Sequence, residues 1–362
     1  MSSNNNSSRL SVNTPTDTSK YNFLLIAIFG SILLLAIIFI IFSKQYRVYR
    51  VTNSMNIYIK YQNMQSMRAT DMKDYKLADF YVCSSFNSAL PGYQMIDYVS
   101  PDMVKKVLQC GCRYLEFQIF GETFSSDANP VVSSGFRKGE WKLSLNTVNF
   151  EDILKVIADH AFTIFDGTDG APNNLDPLII SLDLKTNYNY LVNNKIQQLF
   201  SKYLSTYLLS PTYNYQNKNV ATEKLKDLMG KVIIFSSDGY QGSNLEEIIN
   251  YSWNFSKLKK LHHTDVDSQL NTQTVSTGTD VEAQKNIIEY NELKTFNKKG
   301  LTIVSPHNEG DLLTSNFDPT NAWTVGCQFV CMNFQKIDKN MDIYINKFKK
   351  RAFVLKPKSL RS

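Results

Sequence analysis

The sequence predicts an α/β protein, a (β/α)8 barrel preceded by one transmembrane helix. An uncharged apolar run, Phe23–Phe42, predicts the helix, and eight short strand-like runs that alternate with amphipathic stretches over roughly 280 residues predict the barrel. Hydrophobic residues make up 43% of the chain and charged residues 20%, which is enough apolar surface for a large core. A doubly wound open sheet is the alternative, because the alternation of strands and helices does not separate the two folds.

The amino-terminal region divides into three predicted segments. Residues 1–20 are mostly Ser, Asn and Thr, which predicts a disordered tail. Residues 21–43 form the predicted transmembrane helix, because twenty apolar residues at 1.5 Å each match a hydrocarbon core of roughly 30 Å. A signal peptide would be shorter and carry a cleavage site of small residues, and a core helix would show a polar face. Residues 44–76 are polar and amphipathic, which predicts a helical juxtamembrane stalk.

Charge around the run predicts its orientation. Two cations precede it, Arg9 and Lys20, whereas four follow: Lys44, Arg47, Arg50 and Lys60. The positive-inside rule then places the carboxyl-terminal domain in the cytoplasm, and an odd number of cysteines, five, agrees with a reducing compartment. The net charge of +6 is mild and not concentrated in one run, so nucleic acid is not a required partner.

Residues 77–362 form the predicted barrel domain. The predicted strands are Phe80–Cys83, Tyr114–Ile119, Pro130–Ser133, Leu178–Leu182, Lys231–Phe235, Leu301–Val304, Gln328–Asn333 and Phe353–Leu355. The predicted helices between them include Pro101–Gln109, Glu151–Phe162 and Tyr190–Leu209. Residues 255–295 hold a polar Ser/Thr/Gln/Asp tract and predict a flexible insertion. The loop Asp166–Asn174 lacks the ligand spacing of a calcium hand.

Two pairs of motifs are specific enough to indicate a protein family. The first pair is LADFYVCSSFNSALPGYQ at 77–94 and LQCGCRYLEFQIFGE at 108–122. The second is TSNFDPTNAWTVGCQFVCMNFQKIDKNMDIYINKF at 314–348 and FVLKP at 353–357. Together they resemble the X and Y boxes of eukaryotic phosphoinositide-specific phospholipase C. The resemblance implies a distorted TIM barrel of the phospholipase C-like type. It also implies cleavage of an inositol-lipid phosphodiester by two histidines and a Ca²⁺ ion held by Asn, Glu, Asp and Glu.

The catalytic and metal positions of that family depart from its pattern here. The first histidine falls on Phe86 and the second on Ser134, and neither side chain exchanges protons as an imidazole does. The four metal positions fall on Asn87, Glu116, Gln118 and Asp183. The formal ligand charge drops from −3 to −2, so the sequence predicts weak or no Ca²⁺ binding and no other cofactor.

The substrate-binding positions of the family also lack their usual side chains. The lysines that hold substrate phosphates fall on Phe235 and Ser237, and the Arg and Tyr of the sixth strand fall on Ile303 and Ser305. The retained motif residues are mainly those that build the barrel: Gly111, Arg113, Asn316, Pro319, Trp323, Gly326, Gln328, Asn333 and Gln335.

The remaining histidines and cysteines have structural interpretations. His307 follows the sixth strand at the usual active-site face and is a candidate substitute for a lost imidazole, although a solvated loop residue is the simpler interpretation. His160 is interpreted as structural. His262 and His263 lack further metal ligands. The pairs Cys110 and Cys112, and Cys327 and Cys331, are interpreted as buried thiols.

Three functional hypotheses follow. The main one is a membrane-anchored pseudoenzyme that binds, scaffolds or builds membrane structure, with the bilayer as partner through Phe23–Phe42. Its basic carboxyl terminus could contact anionic lipid headgroups. The alternative is an active phosphoric diester hydrolase in lipid metabolism, with a site rebuilt around Asn87, Glu116, Asp183 and His307, and Ca²⁺ is a cofactor only in that case. The third, from the Asn, Ile, Lys and Tyr bias, is a viral membrane component.

Overall fold

The computed structural model describes residues 18–61, 63–93, 97–135, 141–253, 256–268, 290–306 and 315–362. The chain divides into two units, Met1–Arg47 and Val48–Ser362. Most of the predicted disordered tail, residues 1–17, lies outside the described residues.

The first unit contains most of helix α1, Thr18–Ser54. The described side chains from Tyr21 to Phe39 are all exposed, and the most apolar 18-residue window has a mean hydropathy of 3.2. Within the described residues this is one helix that is long and apolar enough to cross a membrane. Length and composition therefore agree with the predicted span.

The second unit is a nearly closed barrel of eight parallel strands. Its strands are β1 Phe80–Ser85, β2 Tyr114–Gly121, β5 Leu178–Lys185, β6 Val232–Ser236, β7 Tyr251–Ser252, β8 Leu258–His262, β9 Leu301–Ser305 and β10 Phe329–Met332. Parallel ladders join them in the order β7-β6-β5-β2-β1-β10-β9-β8, and among the described residues no ladder joins β7 to β8. The strands follow chain order around the barrel, which confirms the predicted TIM-like fold and excludes the doubly wound sheet.

Two predicted strands lie outside the barrel wall. Strand β3, Pro130–Ser133, pairs antiparallel with β2 and with the short β4, Val148–Asn149, and β11, Phe353–Leu355, pairs antiparallel with β1. In their place the barrel uses β7 and β8, which the sequence did not predict. Strand β7 has only two residues, and β8 carries Lys and His at positions that make it appear polar. Residues 258–262 of the expected insertion are thus a barrel strand, whereas its tract at 269–289 lies outside the described residues.

Amphipathic helices cover the outside of the barrel. The helices after α1 include α2 Asn56–Tyr61, α3 Ala69–Met72, α4 Pro101–Gln109, α5 Phe150–His160, α6 Tyr190–Leu204, α7 Thr320–Thr324 and α8 Lys339–Phe348. Polar side chains fix where they begin: the Ser100 side chain accepts from the Asp102 backbone N–H at the start of α4, and Asp338 accepts from Met341 N–H at the start of α8. The predicted α4 bounds are confirmed.

The segment expected as a juxtamembrane stalk belongs to the barrel unit from Val48 onward. Met55, Met64 and Met67 are buried in the core, so the segment differs from a free-standing stalk. Met64 lies against Gly111, where an added Cβ would come within 2.6 Å of its Cε, and Gly111 has φ +80°. A glycine is therefore required both for the backbone conformation and for this close approach.

The carboxyl ends of the eight strands form one end of the barrel, which we call the mouth, and their amino ends form the floor. One retained motif residue, Gln328, joins several backbone segments of the floor. The buried Gln328 amide donates to the carbonyls of Ala78, Asn297 and Gly300, and its oxygen accepts from Thr302 N–H. These bonds satisfy buried backbone groups, which agrees with the predicted structural role of this residue.

Candidate functional site

The register of the parallel strands brings the metal positions to the mouth. Glu116 and Gln118 lie two residues apart on β2, so both point to the same side of the sheet. Glu116 is paired in register with Ser181, and Gln118 with Asp183, on the neighbouring β5. The sequence motifs therefore place these polar side chains on two adjacent strands, with Glu116 at the third residue of β2 and Asp183 two residues before the end of β5.

The Glu116 carboxylate is held by a lysine that the sequence analysis missed. Lys260 Nζ on β8 lies 2.7 Å from Glu116 Oε1, and the Glu116 side chain is 1% exposed and that of Lys260 16%. The Tyr114 hydroxyl donates to Glu116 Oε2 at 3.1 Å. Burial, and next to it the Glu116 carboxylate, raises the pKa of Tyr114 well above its ordinary value, so the hydroxyl keeps the proton that it donates.

An aromatic ring completes the environment of Lys260. Its Nζ lies 3.5 Å from the centroid of the Trp253 ring, close enough for a cation–π interaction. The buried carboxylate is thus neutralised by an ammonium group of the same chain, which is itself held over a ring.

Two of the other metal positions, Asp183 and Gln118, have partners of their own. Asp183 Oδ1 lies 3.1 Å from Lys185 Nζ, and both side chains are nearly buried. Gln118 Oε1 accepts from the Gly135 backbone N–H at 2.8 Å. Asn87 is buried and has φ +39°, a conformation that Asn tolerates better than most residues.

This donor set does not fit a resident Ca²⁺ ion. Calcium takes six to eight oxygen ligands, whereas both carboxylates here are paired with ammonium groups and the Gln118 oxygen is used by a backbone N–H. The cavity lined by Asn87, Glu116 and Gln118 measures about 10 Å³, which is close to the minimum for one water molecule.

The two positions that the resemblance assigns to catalytic histidines, Phe86 and Ser134, are both buried. Phe86 directly follows β1, is 8% exposed, and its backbone N–H donates to Met332 O at 2.9 Å. Ser134 directly follows β3, and its carbonyl accepts from Leu143 N–H at 2.7 Å. Phe86 therefore contributes apolar packing at the mouth, and the backbone of Ser134 holds a neighbouring loop.

Two positions that the resemblance assigns to phosphate ligands, Phe235 and Ile303, line a packed interior. Phe235 is fully buried, and its ring centroid lies 5.3 Å from that of Tyr251, 5.5 Å from that of Phe329 and 6.2 Å from that of Tyr114. Ile303 is also fully buried. These aromatic side chains fill the barrel interior and stabilise it through apolar burial, with edge-to-face contacts of Phe235 to Tyr114 and Phe329 and a tilted contact to Tyr251.

The two serine positions make local contacts near the strand ends. The Ser237 hydroxyl accepts from Leu184 N–H at 2.7 Å, and the Ser305 hydroxyl donates to Leu261 O at 3.4 Å. Neither contact supplies a positive charge for phosphate.

Three of the histidines have partners within the described residues. His160 Nδ1 accepts from Gly170 N–H at 3.3 Å, and the His263 ring stacks on Phe317 with centroids 4.7 Å apart. His262 lies on β8 in register with Ser305. His307, the candidate substitute for a catalytic imidazole, lies outside the described residues. All five cysteines are buried and free.

Replacing Phe86 by histidine is expected to lower the free energy of unfolding by roughly 1–3 kcal/mol, because a polar ring would replace a buried apolar one. Thermal or urea unfolding of the purified chain measures this, with Phe86→Leu as a control that keeps the site apolar and costs less than about 1.5 kcal/mol. No turnover should appear in Phe86→His or in the double variant with Ser134→His. Unchanged stability of Phe86→His would refute the packing role.

Comparisons with known proteins match the part of the chain that forms the barrel. The family profile "Phosphatidylinositol-specific phospholipase C, X domain" matches residues 73–238, and the corresponding Y domain profile matches residues 245–359. The crystal structure of L. pealei PLC21 superposes with a TM-score of 0.61 at 20% identity, over 80% of this chain and 38% of that one. That of S. officinalis PLC21 gives 0.61 at 21% identity, with the same coverage.

Curated relatives differ in what their names state. The 1-phosphatidylinositol 4,5-bisphosphate phosphodiesterase delta-3-A of Danio rerio is 22% identical over 330 residues, which is 78% of this chain and 38% of the relative. The inactive phospholipase C-like protein 1 of Mus musculus is 24% identical over 332 residues, which is 82% of this chain and 28% of the relative. The chain spans less than two fifths of the length of either.

Proposed function

Because this chain belongs to the phosphatidylinositol-specific phospholipase C family, we propose that it is a membrane-anchored member whose barrel does not hydrolyse lipid. It acts instead as a binding or scaffold protein held in the bilayer through Phe23–Phe42, with its carboxyl-terminal domain in the cytoplasm. The observation that carries the proposal is the Lys260–Glu116 ion pair at 2.7 Å, which occupies a buried carboxylate that the family motif assigns to the metal.

The chemistry of the mouth supports the same proposal. Each missing acid–base group costs on the order of 10²–10⁴ in rate, although such losses do not add. Phe86 carries no titratable group, and a packed Phe235 supplies neither charge nor space for a phosphate. The same substitutions at the mouth therefore disfavour both catalysis and binding of a lipid headgroup.

An active phosphoric diester hydrolase is the second candidate. It is favoured by the survival of two carboxylates at the mouth, Glu116 and Asp183, and by a relative whose name is that of a phosphodiesterase. In that case Lys260 would have to leave Glu116 before Ca²⁺ could bind.

One assay separates the two candidates. The full chain in detergent or nanodiscs is incubated with phosphatidylinositol and its phosphates, with Ca²⁺ or with EDTA, and water-soluble inositol phosphates are quantified. We expect release at the level of the protein-free blank, with an active family member as positive control. Calcium-dependent release that Glu116→Gln abolishes would establish the enzyme and reject the pseudoenzyme.

A further inference from the structure

The floor of the barrel carries a concentrated positive charge. Three segments supply it: residues 65–76, which precede β1; residues 223–231, which precede β6; and residues 349–361, which begin after α8 and include β11. We call these three segments the basic floor. Together they hold twelve Lys and Arg residues and four Asp and Glu residues, a formal net charge of +8, or +7 without the buried Lys356, whereas the whole chain has only +6.

Two backbone hydrogen bonds and one contact between a guanidinium and a ring hold the segments together. Gln65 N–H donates to Lys350 O at 3.2 Å, which joins the first segment to the third. Leu225 N–H donates to Tyr75 O at 2.9 Å, which joins the first to the second. The Arg361 guanidinium lies 4.9 Å from the centroid of the Tyr75 ring. The basic floor is therefore one surface and not three separate loops.

Part of this charge is already balanced within the chain. Asp74 pairs with Lys224 and Lys226, and Asp71 pairs with Arg68 and Arg351. Four exposed lysines of the basic floor have no carboxylate partner among the described residues. They are Lys73, Lys349, Lys350 and Lys358.

The chemistry of these four lysines indicates which kind of partner the basic floor binds. They are flexible lysines spread over loops rather than converging on a cavity, which suits a diffuse layer of negative charge. Each cation near an anionic leaflet contributes about 1 kcal/mol, and the contribution falls off within a Debye length. The first segment also follows the apolar run Phe23–Phe42 by just over twenty residues in the sequence, so the connection between the two is short.

We propose that the basic floor binds the anionic headgroups of the bilayer that holds Phe23–Phe42. This inference rests on the membrane anchoring proposed above. The face of the barrel turned to anionic lipid is then the floor, and the mouth, with its closed site, remains available to a partner in solution.

The test uses the full chain in nanodiscs of phosphatidylcholine alone or with about a third phosphatidylserine. Hydrogen exchange is followed in peptides of the basic floor and of the mouth. We expect slower exchange of the floor peptides only in the anionic nanodiscs, with the effect lost in high salt. Slower exchange of the mouth peptides, or none that depends on lipid charge, would overturn the inference.

A matched pair of variants localises the effect. Lys349→Glu with Lys350→Glu changes the floor end of helix α8, whereas Lys336→Glu with Lys339→Glu makes the same charge change near its mouth end. The first pair should lower the equilibrium constant for floor protection roughly tenfold or more, and the second should leave it unchanged. Equal effects of the two pairs would show that only total charge matters and would contradict a floor-specific contact.

Two further outcomes are decisive. In one, an RNA oligonucleotide added to neutral nanodiscs slows exchange of the floor peptides, whereas anionic nanodiscs without RNA do not. That result would make nucleic acid, and not lipid, the partner of the basic floor. A chain that fails to enter nanodiscs and is released from membranes by alkaline carbonate would instead reject the membrane anchoring itself. Failure of the inference and failure of the proposed function therefore give different results.

Discussion

Replacing Lys260 by methionine is expected to lower the free energy of unfolding by about 3–5 kcal/mol, because it leaves a buried carboxylate without its counter-charge. The Glu116 side chain is 1% exposed, and among the described residues its carboxylate would retain only the hydrogen bond from the Tyr114 hydroxyl. Methionine keeps most of the aliphatic length of lysine, so the packing against Trp253 changes little. Thermal and urea unfolding, followed by tryptophan fluorescence, measure the effect.

Two controls separate the ion pair from other causes. Lys259→Met alters the neighbouring lysine of β8, which is exposed and lies 5.1 Å from the centroid of the Phe296 ring, and should cost less than about 0.5 kcal/mol. Adding Glu116→Gln to Lys260→Met removes the stranded charge and should recover most of the loss. A double variant as unstable as Lys260→Met alone would show that lysine packing, and not charge, is what matters.

The barrel was predictable because its signals are local. Alternating apolar runs and amphipathic helices such as Pro101–Gln109 report burial directly from the order of residues. Motif spacing also placed Glu116 and Gln118 on one strand, where a period of two puts both on the same face. The register with β5 then brought Asp183 beside Gln118.

The ion pair at the mouth was not predictable, because its two members are distant in sequence. Lys260 and Glu116 are 144 residues apart, and no periodicity relates them. The run Leu258–His262 also has two adjacent lysines, which made a barrel strand appear to be part of a polar insertion. One of these lysines faces solvent and the other a buried carboxylate, and only the tertiary structure distinguishes them.

The packing of residues 63–72 against the floor could not be predicted from the sequence, for a different reason. Its buried methionines form no clear helical stripe, and Met64 meets a backbone made accessible by Gly111. The buried Asp176 accepts from Met67 N–H at 2.6 Å, a contact across 109 residues. The sequence shows that the methionines are apolar and that Asp176 is polar. It does not show which surface of the barrel they contact.

Placing lysine at position 235, where the sequence resemblance expects one, is expected to destabilise the barrel by more than about 4 kcal/mol and to give no phosphate binding. Phe235 is fully buried among Tyr114, Tyr251 and Phe329, so Phe235→Lys removes a large apolar side chain and places an ammonium in its space. The nearby Glu116 cannot compensate this charge, because Lys260 already neutralises it.

Phe235→Leu is the matched control, because it shortens the side chain without introducing charge and should cost only about 1–2 kcal/mol. Both variants are compared with the unmodified chain by urea unfolding, and inositol phosphate binding is measured by calorimetry. If Phe235→Lys does not yield folded protein, Phe235→Leu still reports on the packing, since an unchanged stability there would contradict a filled interior. A stable Phe235→Lys that binds inositol phosphate would mean that the mouth opens to solvent at this level and that a single substitution separates this barrel from a headgroup site.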